Sequence, residues 1–148
     1  MDRVIEIDVL LPHPPTVVWN ALTDPSILAR WLMERDLVAT VGHRFRFTMP
    51  PQRGWRGTVD CVVTVVDPPR SLAYTWQQGT DPTQGEWGDA AHAPTLVTWT
   101  LVPEPAGTRL RLEHSGFAGL GEVALSHVLE RGWRRMLEEA LPRALATD

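Results

Sequence analysis

Cys61 is the only cysteine in the chain, so an internal disulfide is excluded. A lone thiol fits a reducing compartment. The opening residues Met1-Asp2-Arg3-Val4-Ile5-Glu6 carry acidic groups where a secretory signal needs an uninterrupted apolar region. No apolar run approaches the ~18 residues of a membrane span. Basic residues are not in excess either. The net charge is −4 and the isoelectric point is near 5.7. The arginines are spread over strand edges and the last helix, so no basic patch for nucleic acid is expected. Together these shortages predict a cytoplasmic protein with no membrane span and no nucleic-acid partner.

Motifs for catalysis and metal binding are missing as well. His13, His43, His92, His114 and His127 show no metal-ligand spacing such as i,i+4 on one helix. Gly116-Phe117-Ala118-Gly119-Leu120-Gly121 reads as a turn ahead of a helix rather than as a phosphate loop, and no G-x-S-x-G elbow occurs. Cys61 falls in the middle of a strand pattern, where a small buried thiol is inert. The sequence gives no reason to expect a catalytic residue, a metal or a cofactor.

What is present begins with 148 residues, the size of one domain, taken here as residues 1–148. A chain of this length can bury roughly 68–70% of its unfolded surface without staples. Seven tryptophans stand against one tyrosine and three phenylalanines. Tryptophan brings a large apolar area and one N–H that wants a partner, so it suits pocket walls as well as cores.

Residues 3–11 alternate, with Ile5, Ile7, Val9 and Leu11 on one face and Glu6 and Asp8 on the other, which predicts a half-buried strand. Pro12-His13-Pro14-Pro15 ends it and opens a helix running to about Leu22. Asp24, held out of a helix by Pro25, is placed to cap a second short helix containing Ile27, Leu28 and Trp31. The period then switches to two. Leu37–Thr40 and His43–Met49 are a predicted pair, the second with Phe45 and Phe47 on one face. Trp55, Val59, Cys61, Val63 and Val65 share the next face, and Asp67-Pro68-Pro69-Arg70 is a turn. Leu72, Tyr74 and Trp76 alternate after it, then Val97, Trp99 and Leu101, then Leu110, Leu112 and His114. These segments make seven strands on short connections, hence an antiparallel meander. The polar stretch Gly79–Pro94, with Trp87 inside it, is left as a long loop. Leu125, Val128, Leu129, Trp133, Met136, Leu137, Ala140 and Leu141 recur at helical steps and form one wide apolar face. Pro142 is expected to kink or end that helix.

Several of these segments carry a family resemblance. They are Val18-Trp19-Asn20-Ala21-Leu22-Thr23-Asp24-Pro25 with Trp31, Val41-Gly42-His43-Arg44-Phe45, Gly57-Thr58-Val59 and Asp67 to Trp76. Gly107-Thr108-Arg109-Leu110-Arg111-Leu112-Glu113-His114-Ser115-Gly116-Phe117 and Gly132-Trp133 with Leu137 complete the series. In order and spacing the chain resembles the START-like (SRPBCC) superfamily. Within that superfamily it looks like the family named for the activator of the ninety-kilodalton heat-shock chaperone's ATPase. The resemblance implies an α+β helix-grip fold. A seven-stranded curved antiparallel sheet would wrap round a long C-terminal helix, with two short helices after the first strand and a cavity between sheet and helix.

Members of the superfamily bind lipids, polyketides, hormones or other apolar molecules, and some act on them. The expected function is therefore to hold a small, largely apolar ligand. The alternatives are a module that stimulates a chaperone ATPase, or a cyclase- or hydrolase-type enzyme using His114 and Tyr74. A chaperone or a second copy of the chain are the other partners considered. The expected lining is Trp31, Phe47, Val59, Tyr74, Trp76, Trp99, His114, Trp133, Met136 and Leu137. His114, placed inward by strand parity, either bonds a neighbouring strand or anchors the ligand.

Overall fold

The computed structural model describes residues 3–31, 39–48, 55–80, 95–117 and 120–146. Strand β1 (Arg3–Leu11) is followed by helices α1 (Pro15–Thr23) and α2 (Pro25–Trp31). Strands β2 (Arg44–Thr48), β3 (Trp55–Asp67), β4 (Ser71–Thr80), β5 (Thr95–Glu104) and β6 (Gly107–Phe117) come next. Helix α3 (Leu120–Arg135), a π-helical turn (Met136–Ala140) and α4 (Leu141–Ala146) close the chain. The strands form one antiparallel sheet in the order β1-β6-β5-β4-β3-β2. This is the helix-grip arrangement. No helix among the described residues is long and apolar enough to cross a membrane.

The two short helices form for local reasons. Pro14 caps α1 in an extended conformation and Pro15 sits in its first turn, where a missing N–H costs nothing. Asp24, extended because Pro25 follows it, ends α1 by donating its N–H to the Asn20 carbonyl. Its carboxylate then accepts from the Ser26 N–H at 2.9 Å and the Ser26 hydroxyl at 2.8 Å, capping α2. Val18, Ala21 and Leu22 of α1 and Leu28 and Trp31 of α2 are buried. The Trp31 indole N–H donates to the Ala21 carbonyl at 2.8 Å and ties the second helix to the first.

Three expectations need correction. The described sheet has six strands rather than seven. Of the extra strand expected at 37–40, Ala39 and Thr40 lie in a bend that leads into a turn, and the other two residues lie outside the described ones. The His43 N–H closes that turn on the Thr40 carbonyl at 3.0 Å, and Gly42, at a φ of 90° that glycine adopts without strain, donates its N–H to the Val63 carbonyl of β3 at 2.8 Å. The second correction concerns Val65, which faces out at 43% exposure although Val59, Cys61 and Val63 face in. The pairing of β3 with β4 slips between Val63 and Val65, so Thr64 is an extra residue and the alternation inverts beyond it. Val66 takes the inward position instead.

The third is that Pro142 does not end the helix, which continues through it to Ala146. The Leu141 N–H reaches back to the Met136 carbonyl, widening one turn just before the proline. That turn makes room for a ring that would press on the carbonyl four residues earlier in a regular α-helix. It also keeps Trp133, Leu137, Leu141 and Leu145 on one buried face. Residues spaced four apart drift by about 40° per step on an ideal helix, and the wider turn takes up the drift. Helix α3 packs on β1 and β6, and α4 packs against α2.

For the following described side chains the parity reads as expected. Ile5, Ile7, Leu11, Leu72, Tyr74, Trp76, Val97, Trp99, Leu101, Leu110, Leu112 and His114 are all buried. Where β1 leaves the sheet, Gly107 (φ 145°) lies so close that a Cβ there would run into the Leu11 carbonyl. The Thr108 hydroxyl donates to the His13 carbonyl at 2.8 Å and fastens the same two turns together. They enclose an open surface groove of about 360 Å³, none of whose lining residues belongs to the expected ligand site.

Candidate ligand site between the sheet and the C-terminal helix

Strands β4, β5 and β6 send Trp76, Trp99 and His114 inward from neighbouring positions, and the helix sends Trp133 down to meet them. The rings pack largely edge to face. Trp99 and Trp133 have centroids 5.5 Å apart at 81°, and Trp31 and Trp99 are 6.0 Å apart at 78°. Trp76 lies 5.2 Å from Trp133 and 5.5 Å from the His114 ring. Phe117 touches the other side of His114 at 4.7 Å. Tyr74 meets Phe45 at 5.2 Å and 81°. Geometry of this kind contributes about 0.5–1.5 kcal/mol per pair beyond area burial.

Side-chain hydrogen bonds link Trp133, His114 and Thr95, and Trp99 with Tyr74, within this layer. The Trp133 indole N–H donates to His114 Nδ1 at 3.1 Å. An acceptor at Nδ1 puts the imidazole proton on Nε2, which lies 2.7 Å from the Thr95 hydroxyl. That hydroxyl in turn donates to the Trp76 carbonyl at 2.9 Å. The chain of bonds therefore runs in one direction, from helix to sheet, and leaves both His114 nitrogens occupied. Burial pushes the His114 pKa down to about 3, so the ring is neutral at ordinary pH. Trp99 donates its indole N–H to the Tyr74 hydroxyl at 2.9 Å. Burial pushes the Tyr74 phenol up, against the opposing effect of that bond. Burial likewise raises the Cys61 thiol, helped by the charge of Asp60, so the thiol stays protonated and unreactive.

Of the residues expected to line a ligand site, Trp31, Val59, Tyr74, Trp76, Trp99, Trp133 and Leu137 belong to one buried cluster, and the buried His114 ring packs against its Trp76 and Trp133. Met136 is half-buried at the start of the π turn, its methyl 4.0 Å from where a Cβ on Gly132 would stand. Phe47 pairs with Val59 across β2 and β3, and its side chain lies outside the described residues. So do Trp87 and the rest of 81–94. Sequence reasoning missed Thr95, Phe45 and Phe117, and also the buried Ser126. Phe45 carries the inward parity of its strand and could have been found from it, whereas Phe117 is turned inward by the irregular register near Gly116, which breaks the alternation of Leu110, Leu112 and His114. Thr95 shares the inward parity of Val97, Trp99 and Leu101, but its tie to His114 depends on the register that sets it opposite Trp76. No group of three or more potential metal ligands occurs among the described residues.

The family described as "Activator of Hsp90 ATPase homolog 1-like protein" matches residues 12–146. No curated protein matches the chain. Among solved structures, the protein MLL2253 from Mesorhizobium loti is similar at 34% identity and a TM-score of 0.82, over 98% of either chain. The Bacillus halodurans protein BH1534 shares 28% identity at a TM-score of 0.73, covering 97% of this chain and 96% of its own. A protein of Silicibacter pomeroyi titled with the same family name, AHSA1, shares 25% identity at 0.76, over 98% of this chain and 99% of its own.

Proposed function

Because the chain belongs to the family of activator of Hsp90 ATPase homologue 1-like proteins, we propose that it holds a small, largely apolar molecule between its sheet and its C-terminal helix. The observation that carries this reading is the aromatic layer of Trp31, Trp76, Trp99 and Trp133 at that seam, bordered by a half-buried methionine on a π turn. Aromatic walls with a few placed polar groups are the usual composition of small-molecule sites. Widened helical turns are frequent at such sites, and methionine is the side chain that yields most readily to an incoming group. With both nitrogens engaged, His114 holds the wall in place rather than acting on the ligand as acid or base.

Native mass spectrometry of the purified protein tests for a retained small molecule. Titration with uncharged apolar probes, followed by tryptophan fluorescence, tests for uptake. Binding by the native chain and its loss in a folded Met136→Trp variant are expected. No spectral response to a diverse panel, together with stimulation of a purified chaperone's ATPase, would replace this reading with an interaction module.

A further inference from the structure

We propose that the surface groove at the end of β1 is a docking site for a basic peptide segment of another protein, whose arginine or lysine side chain it receives. The groove lies where β1 leaves the sheet and β5 turns into β6, and it encloses about 360 Å³. It shares no residue with the aromatic layer, so the two sites stand or fall separately.

Hydrogen-bond donors are scarce in its walls. Five of its nine lining residues are prolines (Pro12, Pro14, Pro15, Pro103 and Pro105), which bring carbonyls but no N–H. The N–H of His13 is already turned onto the Leu11 carbonyl at 2.8 Å. An anion entering here meets few hydrogens, whereas an ammonium or guanidinium group brings its own. The proline rings offer apolar surface along which the methylene stem of such a side chain can lie.

The charge around the groove has the matching sign. Arg109 donates from Nε to the wall residue Glu104 at 2.7 Å and from a terminal nitrogen to Asp8 at 3.3 Å. Two carboxylates on one guanidinium leave a net charge of −1 in this cluster. Further along the same outer face, Glu6 holds Arg111 at 3.4 Å, and Glu113 stands directly across from Glu6. Among the described side chains of β1, β5 and β6, four acidic groups (Glu6, Asp8, Glu104 and Glu113) therefore face two arginines. A cation is drawn to such a surface and an anion is turned away.

Shape favours a peptide over a free amine. The groove is open, so a lone small cation would stay largely in water, unlike a ligand in an enclosed pocket. Leu10 and Val102 face Arg109 from the two neighbouring strands, 43% and 47% exposed, close in sequence to the proline walls. They give apolar footing to the residues that flank the bound side chain. The walls are also set in advance by the Thr108 hydroxyl on the His13 carbonyl and by the close approach of Gly107 to Leu11. Little ordering remains to be done on binding.

The test titrates the native chain with acetyl-Leu-Gly-Arg-Gly-Leu-amide and with the same peptide carrying Gln or Glu at its centre, followed by ¹H–¹⁵N NMR. The arginine peptide is expected to bind about tenfold more tightly than either other, shifting the amide signals of His13, Glu104, Ala106 and Gly107. Glu104→Gln, and Ala106→Arg at an exposed turn position, should each weaken it by about tenfold while the spectrum elsewhere stays native. Equal binding of the Gln or Glu peptide to the native chain would overturn the proposal. So would shifts confined to the indole signals of the aromatic layer. Equally tight binding of acetylarginine methylamide would replace the peptide by a free organic cation and overturn the docking site. No binding of the arginine peptide would overturn the proposal too, and would leave the apolar ligand site untouched.

Discussion

The indole N–H of Trp133 and Nδ1 of His114 are 3.1 Å apart, and this bond between helix and sheet fixes which nitrogen of the imidazole carries its proton. With Nδ1 accepting, Nε2 must donate, and the Thr95 hydroxyl is there to receive it at 2.7 Å. A histidine in an aromatic layer thus serves as a fully matched neutral connector, with a donor on one side and an acceptor on the other.

Replacing His114 by Phe keeps most of the ring volume but strands the Trp133 N–H in an apolar setting. A buried donor left unmatched costs about 1–3 kcal/mol. Urea unfolding of His114→Phe is expected to show a loss of that size. The double variant His114→Phe with Trp133→Phe should lose less than the sum of the two single changes, since each removes the other's stranded partner. Strict additivity would mean that the bond contributes nothing.

The same histidine makes stability depend on pH. Its folded pKa, near 3, lies below the ordinary 6.5, so the unfolded chain binds the proton more readily. Its contribution is fully present above pH 6.5 and is lost as pH falls toward 3, amounting to on the order of 5 kcal/mol across that window. Denaturation midpoints measured from pH 7 to pH 4 should fall steadily for the native chain. They should fall less for His114→Phe, and parallel curves would show that other groups carry the acid sensitivity.

Two glycines with positive φ should respond unequally to alanine. Gly42 has open space around it, so Gly42→Ala meets only the backbone strain of about 1–2 kcal/mol. Gly107→Ala adds a collision with the Leu11 carbonyl, between two turns already fastened by Thr108 and His13. A loss of about 3 kcal/mol or more is expected there. Differential scanning calorimetry of the two variants checks the order, and equal shifts would contradict the close approach.

Much of this fold is legible in the sequence because inward alternation leaves a plain trace. Leu110, Leu112 and His114 were placed together by parity alone, and the structure buries all three. Asp24 before Pro25 announced a break and a cap, because both effects are local. The trace fails where the backbone departs from its period. The extra residue at Thr64 turns Val65 outward, and no side chain in that stretch signals it. The π turn is also silent, since Pro142 states that the regular helix is in difficulty but not how the difficulty is resolved. Cross-strand partners are hidden for a different reason. Thr95 matters because the register sets it beside Trp76 and brings it to His114, and register is decided by the whole sheet.

The strand order has a consequence for synthesis. Strand β1 pairs with β6, so Arg3 finds Phe117 and Asp8 finds Arg111 only after all the other strands have been made. At ribosomal rates the first strand waits roughly 5–20 seconds with Ile5, Ile7 and Leu11 uncovered. Glu6 and Asp8 between those residues, and the prolines that follow at 12, 14 and 15, suit a strand that must stay soluble alone. The first strand joins the sheet only when the last of the described strands arrives to pair with it.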